Sequence, residues 1–253
     1  MAILFISFGG PTQAYHDALN RICNQAKASN MFDKVIGYTE KDLQNDAKFW
    51  EKHKNFIESN PKGYGYWIWK SYINYKTIQE ANDDDIIVYA DAGCELQFNN
   101  IDRLKYYIEI VKNKSMDLNE FGILGFNGFF LEQKYTKMDT IISVYRGNYD
   151  IYESMQIVAT AFIYRKCKNT KNIMSLWYKK SCIYHLIDDS PSQFENDPLF
   201  REHRHDQSLF SLIMKDHGCF TLDYEIGLWQ NGISRPGPSF IWDARNASGV
   251  SLI

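Results

Sequence analysis

Residues Gly63 to Glu95, GYGYWIWKSYINYKTIQEANDDDIIVYADAGCE, decide how the chain is read. A glycine-bearing loop leads into a helix start carrying Trp67, Trp69 and Lys70. The helix closes on an acidic turn, Asp83 to Asp85, and the apolar run Ile86 to Ala90 then stops abruptly at Asp91. A short, continuously apolar run between turn signals suits a strand buried on both faces, as in parallel sheets. A carboxylate at the C-terminal end of such a strand lies where open α/β sheets bind ligands.

Working outward toward the N-terminus, Ile3 to Phe8 reads as a first buried strand and Gly9-Gly10-Pro11 as the loop after it. Glycines at that sheet edge serve a tight turn or the close approach of a nucleotide, and the sequence leaves both open. Tyr15, Leu19, Ile22 and Ala26 recur at helical spacing and make a β-α step. Val35 to Tyr38 is a second strand. Thr39 after it is a helix N-cap with Asp42 as its acidic partner, or a nucleotide contact, and the cap is the preferred reading. Trp67 and Trp69 serve equally well as core aromatics or as a stacking platform. Lys70 opposes the helix dipole, so its position points to a nearby anion and a phosphate or sugar contact, with a solvated surface lysine as the alternative.

Toward the C-terminus, Leu96 to Phe98 reads as a short edge strand and Ile101 to Val111 as an amphipathic helix. Phe121 to Phe126 reads as a strand with Asn127-Gly128 as a hairpin turn or bulge. Glu132 to Tyr152 is a polar, tyrosine-rich passage expected to be an irregular functional loop, with Lys137 and Asp139 as candidate contacts or, the preferred reading, ordinary exposed loop charges. Gln156 to Arg165 reads as one buried strand, Lys171 to Leu186 as a helix, and Asp188 to Pro198 as a loop. His203 to Ser208, HRHDQS, gathers donors and acceptors suited to hydroxyls and phosphate at one helix entrance. Asp206 alone also reads as an N-cap. Beyond Asp223, Arg235 and Arg245 are candidates for a C-terminal flap closing over a diphosphate.

The strings GYGYWIWKSYI, YADAGCEL and HRHDQSLFSL, in that order, resemble a group of bacterial and viral polysaccharide glycosyltransferases of the GT-A fold that carry DAG in place of the usual DxD pair. The likeness covers roughly Ile3 to Leu222. It implies an α/β fold of GT-A type: a Rossmann-like, mostly parallel central sheet flanked by helices, with a mixed acceptor-side half. One domain, 1–253, would divide into a nucleotide-sugar half (about 1–98), an acceptor and catalytic half (about 99–222) and a C-terminal flap or tail (223–253). The resemblance implies a UDP-sugar donor near Phe8, Gly9, Thr39, Lys70, Asp91, Ala92, Gly93, His203, Arg204 and His205. Acceptor contacts would come from Trp67, Lys137 and Asp139. It places Asp206 and Gln207 beside the transferred sugar; an inverting route would also need a general base near the acceptor hydroxyl, for which Asp206 is the best candidate. It also implies a Mn²⁺ or Mg²⁺ ion held by Asp91, although Gly93 stands where the second carboxylate would be.

Composition bounds the alternatives. The 253 residues, 45% hydrophobic and 15% aromatic, suffice for one large domain with a substantial core. A net charge of −3 provides no basic footprint for nucleic acid. Five scattered cysteines, an odd number without CxxC pairing, argue against a disulfide framework or structural zinc and for a cytoplasmic setting. The start MAILFISFGG lacks the basic flank of a signal peptide, and no apolar run is long enough to span a bilayer, so membrane contact is expected to be peripheral at most. Two other functions share these features: a sugar nucleotidyltransferase, for which Gly9-Gly10-Pro11 lacks basic residues, and a non-catalytic carbohydrate-binding protein.

Overall fold

The computed structural model describes residues 1–113, 121–145, 151–230 and 232–253. The first half runs β1 (Ile3–Phe8), α1 (Gln13–Ala28), β2 (Lys34–Tyr38), α2 (Glu40–Asn45), α3 (Ala47–Ser59), the single turn α4 (Gly63–Tyr66), α5 (Ile68–Glu80) and β3 (Ile86–Ala90). It continues through β4 (Glu95–Leu96), α6 (Ile101–Lys112), β5 (Ile123–Leu131), α7 (Glu132–Tyr135), α8 (Met138–Val144), β6 (Met155–Ile157) and β7 (Ala161–Arg165). Last come α9 (Lys168–Ser181), α10 (His205–His217), β8 (Phe220–Leu222), β9 (Leu228–Gln230), β10 (Ile233–Arg235) and β11 (Ile241–Trp242). No helix among the described residues is long and apolar enough to cross a membrane.

The central sheet has the order β2-β1-β3-β7-β5-β6, with β8 joined to β5. β1 is parallel to β2 and β3, and β5 to β8, whereas β7 runs antiparallel to β3 and β5, and β6 antiparallel to β5. β1, β2, β3, β5 and β8 therefore share one direction and β6 and β7 oppose it: a mixed, mostly parallel α/β sheet.

β3 shows why its run is apolar throughout. Ile87 and Tyr89 join one core with Trp69, Ile73, Trp177 and Phe210, while Ile86, Val88 and Ala90 join a second with Leu104, Tyr107 and Ile108. Alternate side chains of a strand point to opposite faces, so α5, α9 and α10 cover one face and α6 the other. All five residues are fully buried.

Several boundaries differ from the sequence reading. Tyr15, grouped with the packing face of α1, is 49% exposed at the end of the helix, and Arg21 is buried in that face instead. Gln156 to Arg165 is two strands: β6 pairs with β5, β7 pairs with β3 and β5, and Val158 to Thr160 bridge them. Of the two readings of Asn127-Gly128, the structure shows the bulge or irregularity and not the hairpin. β5 runs through the pair, and its ladder to β6 slips between Asn127 and Leu131. The expected loop Glu132 to Tyr152 contains α7 and α8, with 146–150 outside the described residues. The C-terminal segment, expected as a flap, contributes Ile226, Phe240 and Ile241 to the core, and β11 pairs with β4.

Candidate active site

Three elements meet at the end of β3. The chain enters α5 through left-handed backbone at Tyr64, Gly65, Tyr66 and Trp67. Gly63 is required there, because a Cβ would lie 2.4 Å from the Trp67 ring. This turn sets Lys70 in the first turn of α5, only 4% exposed. Asp91 follows β3 directly, with its N–H donating to Thr160 O and its own carbonyl accepting from Cys94 N–H. Asp206 lies in the first turn of α10.

Lys70 Nζ is 3.0 Å from Asp91 Oδ1, 3.3 Å from Asp206 Oδ2 and 3.2 Å from Ala159 O. Burial alone would neutralise the lysine, but the two carboxylates outweigh it and hold its pKa above the ordinary value. Asp206 is pushed the other way. Burial lifts its pKa to about 6, aided by the charge of Asp91 and opposed by Lys70. Tyr89 donates its hydroxyl proton to Asp91 Oδ1, and the Asp91 side chain stays one-third exposed on its open side.

The entrance of α10 is organised differently from a carboxylate-capped helix. Arg204 is the N-cap residue, and its N–H donates to Ser208 Oγ. Asp206 is thus inside the first turn, and its Oδ2 accepts no well-formed hydrogen bond among the described residues. His203 Nε2 faces Leu186 O at 3.0 Å, while its Nδ1 accepts from Lys137 N–H. Burial depresses His203 to about 3, which keeps it neutral. His205 Nδ1 faces Ile187 O at 2.9 Å, and its ring stacks on Trp67. These histidines tie the 186–190 segment to the helix entrance. Gln207 Nε2 donates to Gln156 Oε1, and Gln207 Oε1 accepts from Ala159 N–H.

The C-terminal segment completes the wall. Arg21, buried in α1, donates to the carbonyls of Ala92, Cys94, Asn246 and Ser248 and pairs with Glu95 at 2.9 Å. Glu95, fully buried, also accepts from Asn246 Nδ2, Gln25 Nε2 and Leu252 N–H. Burial works against the Glu95 charge, yet these hydrogen bonds and Arg21 hold its pKa below the ordinary value. Asn246 N–H donates to Gly93 O, so the DAG loop and the C-terminal segment are laced together, with Arg245 beside them. The segment is a fastened strap.

The cleft has a volume of about 930 Å³. Phe8, Trp67, Lys70, Asp91, Ala92, Gly93, His203, Arg204, His205, Asp206 and Gln207 all line it. Four expected residues are elsewhere. Gly9 serves packing, since a Cβ there would lie 2.2 Å from Tyr15 O and 2.5 Å from Leu19 Cβ. Thr39 forms a capping box with Asp42 at α2. Lys137, buried, bonds the carbonyls of Asp188 and Ser190, and Asp139 accepts from Gln193 N–H and pairs with His185. Both hold the 188–193 segment and are spent on structure. Sequence reading passed over Ala159 and Thr160, whose carbonyls receive Lys70 and Asp91. The small residues interrupting the apolar run QIVATAFIYR were their signal.

A divalent ion on Asp91 does not fit this donor set. Asp206 shares the Lys70 ammonium with it, and the histidines turn ring nitrogens to main-chain partners. Gly93 supplies no ligand, and a Cβ built there faces the backbone of Arg245 and Asn246 at 3.7 Å. Among the described residues no three His, Cys, Asp or Glu side chains converge as a metal site.

No family model and no curated protein matches the sequence. Among solved structures, the chain is similar to a glycosyltransferase involved in glycosylation of the major capsid of PBCV-1, at 9% identity and a TM-score of 0.43, over 90% of this chain and 84% of that one. It is similar to mouse xyloside xylosyltransferase 1 at 11% identity and a TM-score of 0.46, over 88% and 84%. It is also similar to the galactosyltransferase LgtC, solved with donor and acceptor sugar analogues, at 12% identity and a TM-score of 0.46, over 87% and 73%.

Proposed function

We propose that the protein is a glycosyltransferase that moves a sugar from a nucleoside-diphosphate sugar, UDP-linked, to a hydroxyl of a glycan or glycoconjugate. The observation that carries this reading is the Asp91–Lys70–Asp206 cluster at the C-terminal end of β3, Lys70 and Asp206 buried and Asp91 open to the cleft, with Arg204 and Arg245 in the cleft wall. Breaking the bond between the anomeric carbon and the diphosphate leaves an electron pair on the leaving phosphate. Cations aimed at that developing charge lower the barrier. Lys70, Arg204 and Arg245 are the candidates. The acceptor oxygen bonds to the anomeric carbon as the bond to the diphosphate breaks, and its proton passes to Asp206. A carboxylate with a pKa near 6 suits that task, since it is mostly ionised at neutral pH and still basic enough to take a proton. Gln207, beside Asp206 and without a full charge, orients the sugar.

A panel of sugar nucleotides tests the proposal. Slow release of nucleoside diphosphate from one member supports transfer, pyrophosphate release supports a nucleotidyltransferase, and release of neither supports a binding protein.

A further inference from the structure

Beside the main cleft lies a second cavity of about 280 Å³. Thr160, Arg204, Gln207, Asp243 and Arg245 line both cavities, so these side chains form a shared partition. Behind it the lining changes in character: Phe129, Phe130 and Tyr224 face the small cavity. Neighbouring residues of a regular strand point to opposite faces, yet Phe129 and Phe130 both reach it. The broken ladder between Asn127 and Leu131 explains this, since a local irregularity bends a strand and re-aims its side chains. Phe130 carries the Arg204 guanidinium over its ring at 3.8 Å, which fixes one side of the partition. Phe129 makes a tilted corner with Tyr224, ring centroids 4.7 Å apart, and remains 58% exposed.

We propose that this cavity is the acceptor subsite and that it takes a neutral pyranoside, whose apolar ring face lies on Phe129 while its hydroxyls meet the partition. The argument is one of shape and chemistry. A pyranose presents C–H groups on a face and hydroxyls around its edge, and the cavity offers an aromatic surface on one side and amide, hydroxyl, carboxylate and guanidinium groups on the other. Gln207 stands between the two cavities, next in sequence to Asp206. Asp206 lines the main cleft and not the small cavity, so a pyranoside held here reaches that carboxylate only through the shared partition. Its assignment as the acceptor rests on the transfer reading above, but its affinity for a pyranoside does not.

Saturation-transfer NMR with the methyl pyranosides of glucose, galactose and mannose tests the subsite on the full chain, with and without saturating UDP. At least one glycoside should receive saturation at its ring protons, and should still do so with UDP present. Phe129→Ala should weaken that glycoside roughly tenfold, the scale of one lost aromatic contact, and Phe129→Tyr should restore it. The exposure of Phe129 makes both variants compatible with folding, which a melting curve checks. Saturation of none of the glycosides, or equal affinity in Phe129→Ala and the unmodified protein, overturns the subsite. Glycoside binding that depends on Phe129, in a protein that turns over no sugar nucleotide, would uphold the subsite and sink the transfer reading.

Discussion

The ammonium of Lys70 lies 3.3 Å from the carboxylate of Asp206, joining the first turn of α5 to the first turn of α10 inside the cleft. Asp91 shares the same ammonium. The three groups carry two negative charges and one positive, and only Asp91 is substantially open to solvent. Removing Lys70 would therefore leave two carboxylates facing each other, and Lys70→Ala is expected to destabilise the fold as well as slow turnover. The more informative substitutions are at its partners.

Asp206→Asn should lower sugar transfer by about 10² or more, as expected when a general base is lost, while leaving UDP affinity nearly unchanged. Because Arg204 is the cap residue, the melting temperature should not register the loss of a cap. Steady-state turnover, UDP titration and a melting curve on this one variant check all three expectations. Near-normal turnover would remove Asp206 from the chemistry.

The pH dependence follows from the same group. Its pKa of about 6 means that the proton-accepting form is depleted below that value, so turnover should fall about tenfold per pH unit on the acid side and level off above it. Stability has the opposite sign. Between the ordinary value of 3.8 and about 6, the folded state holds a proton that the unfolded chain has released, so this group's contribution to stability declines as pH rises through that window. A pH–rate profile whose acid limb disappears in Asp206→Asn would match the account.

Donor affinity should not depend on a divalent ion. UDP titrated calorimetrically in Mn²⁺ and in EDTA should give equal affinities, because the cluster around Asp91 already holds a cation of its own. Arg245→Ala should weaken UDP roughly tenfold to a hundredfold, the range for a lost charge-assisted hydrogen bond. Markedly tighter binding in Mn²⁺ would restore a metal to the site.

The strap depends on the pair Arg21 and Glu95, both nearly inaccessible. Removing one partner of a buried pair strands the other, at a cost of about 3 to 5 kcal/mol. Glu95→Ala should show that loss by denaturant unfolding, and should also weaken UDP binding by releasing the segment that carries Arg245. Loss of stability with unchanged UDP affinity would separate the strap from the site.

Much of this arrangement was legible in the sequence because local pattern controlled it. The period-free apolar run of β3 and the abrupt Asp91 located the sheet edge, and the dense string HRHDQS marked a segment that lines the same cleft. What escaped was set by contacts distant in sequence. Nothing local to Lys137 or Asp139 announces that their charges are consumed by the 188–193 segment. The break at Ala159 follows from pairing with two different partners, which an apolar run does not encode. Arg245 reads in sequence as part of a flap, and the buried Arg21 that fastens its segment reads only as one more residue on a helix. Lys70 is no solvated surface lysine: it is buried between two aspartates of the chain itself, which a reading of its helix alone does not reveal.

The most direct test of the account is a single-turnover reaction of the UDP-sugar selected from the panel with a pyranoside acceptor, in EDTA, with UDP and glycoside product quantified together. The account predicts UDP and a new glycoside in equal amounts from the unmodified protein, and a loss of both of about 10² or more in rate in Asp206→Asn. Release of pyrophosphate, or a product rate unchanged by Asp206→Asn, would contradict it.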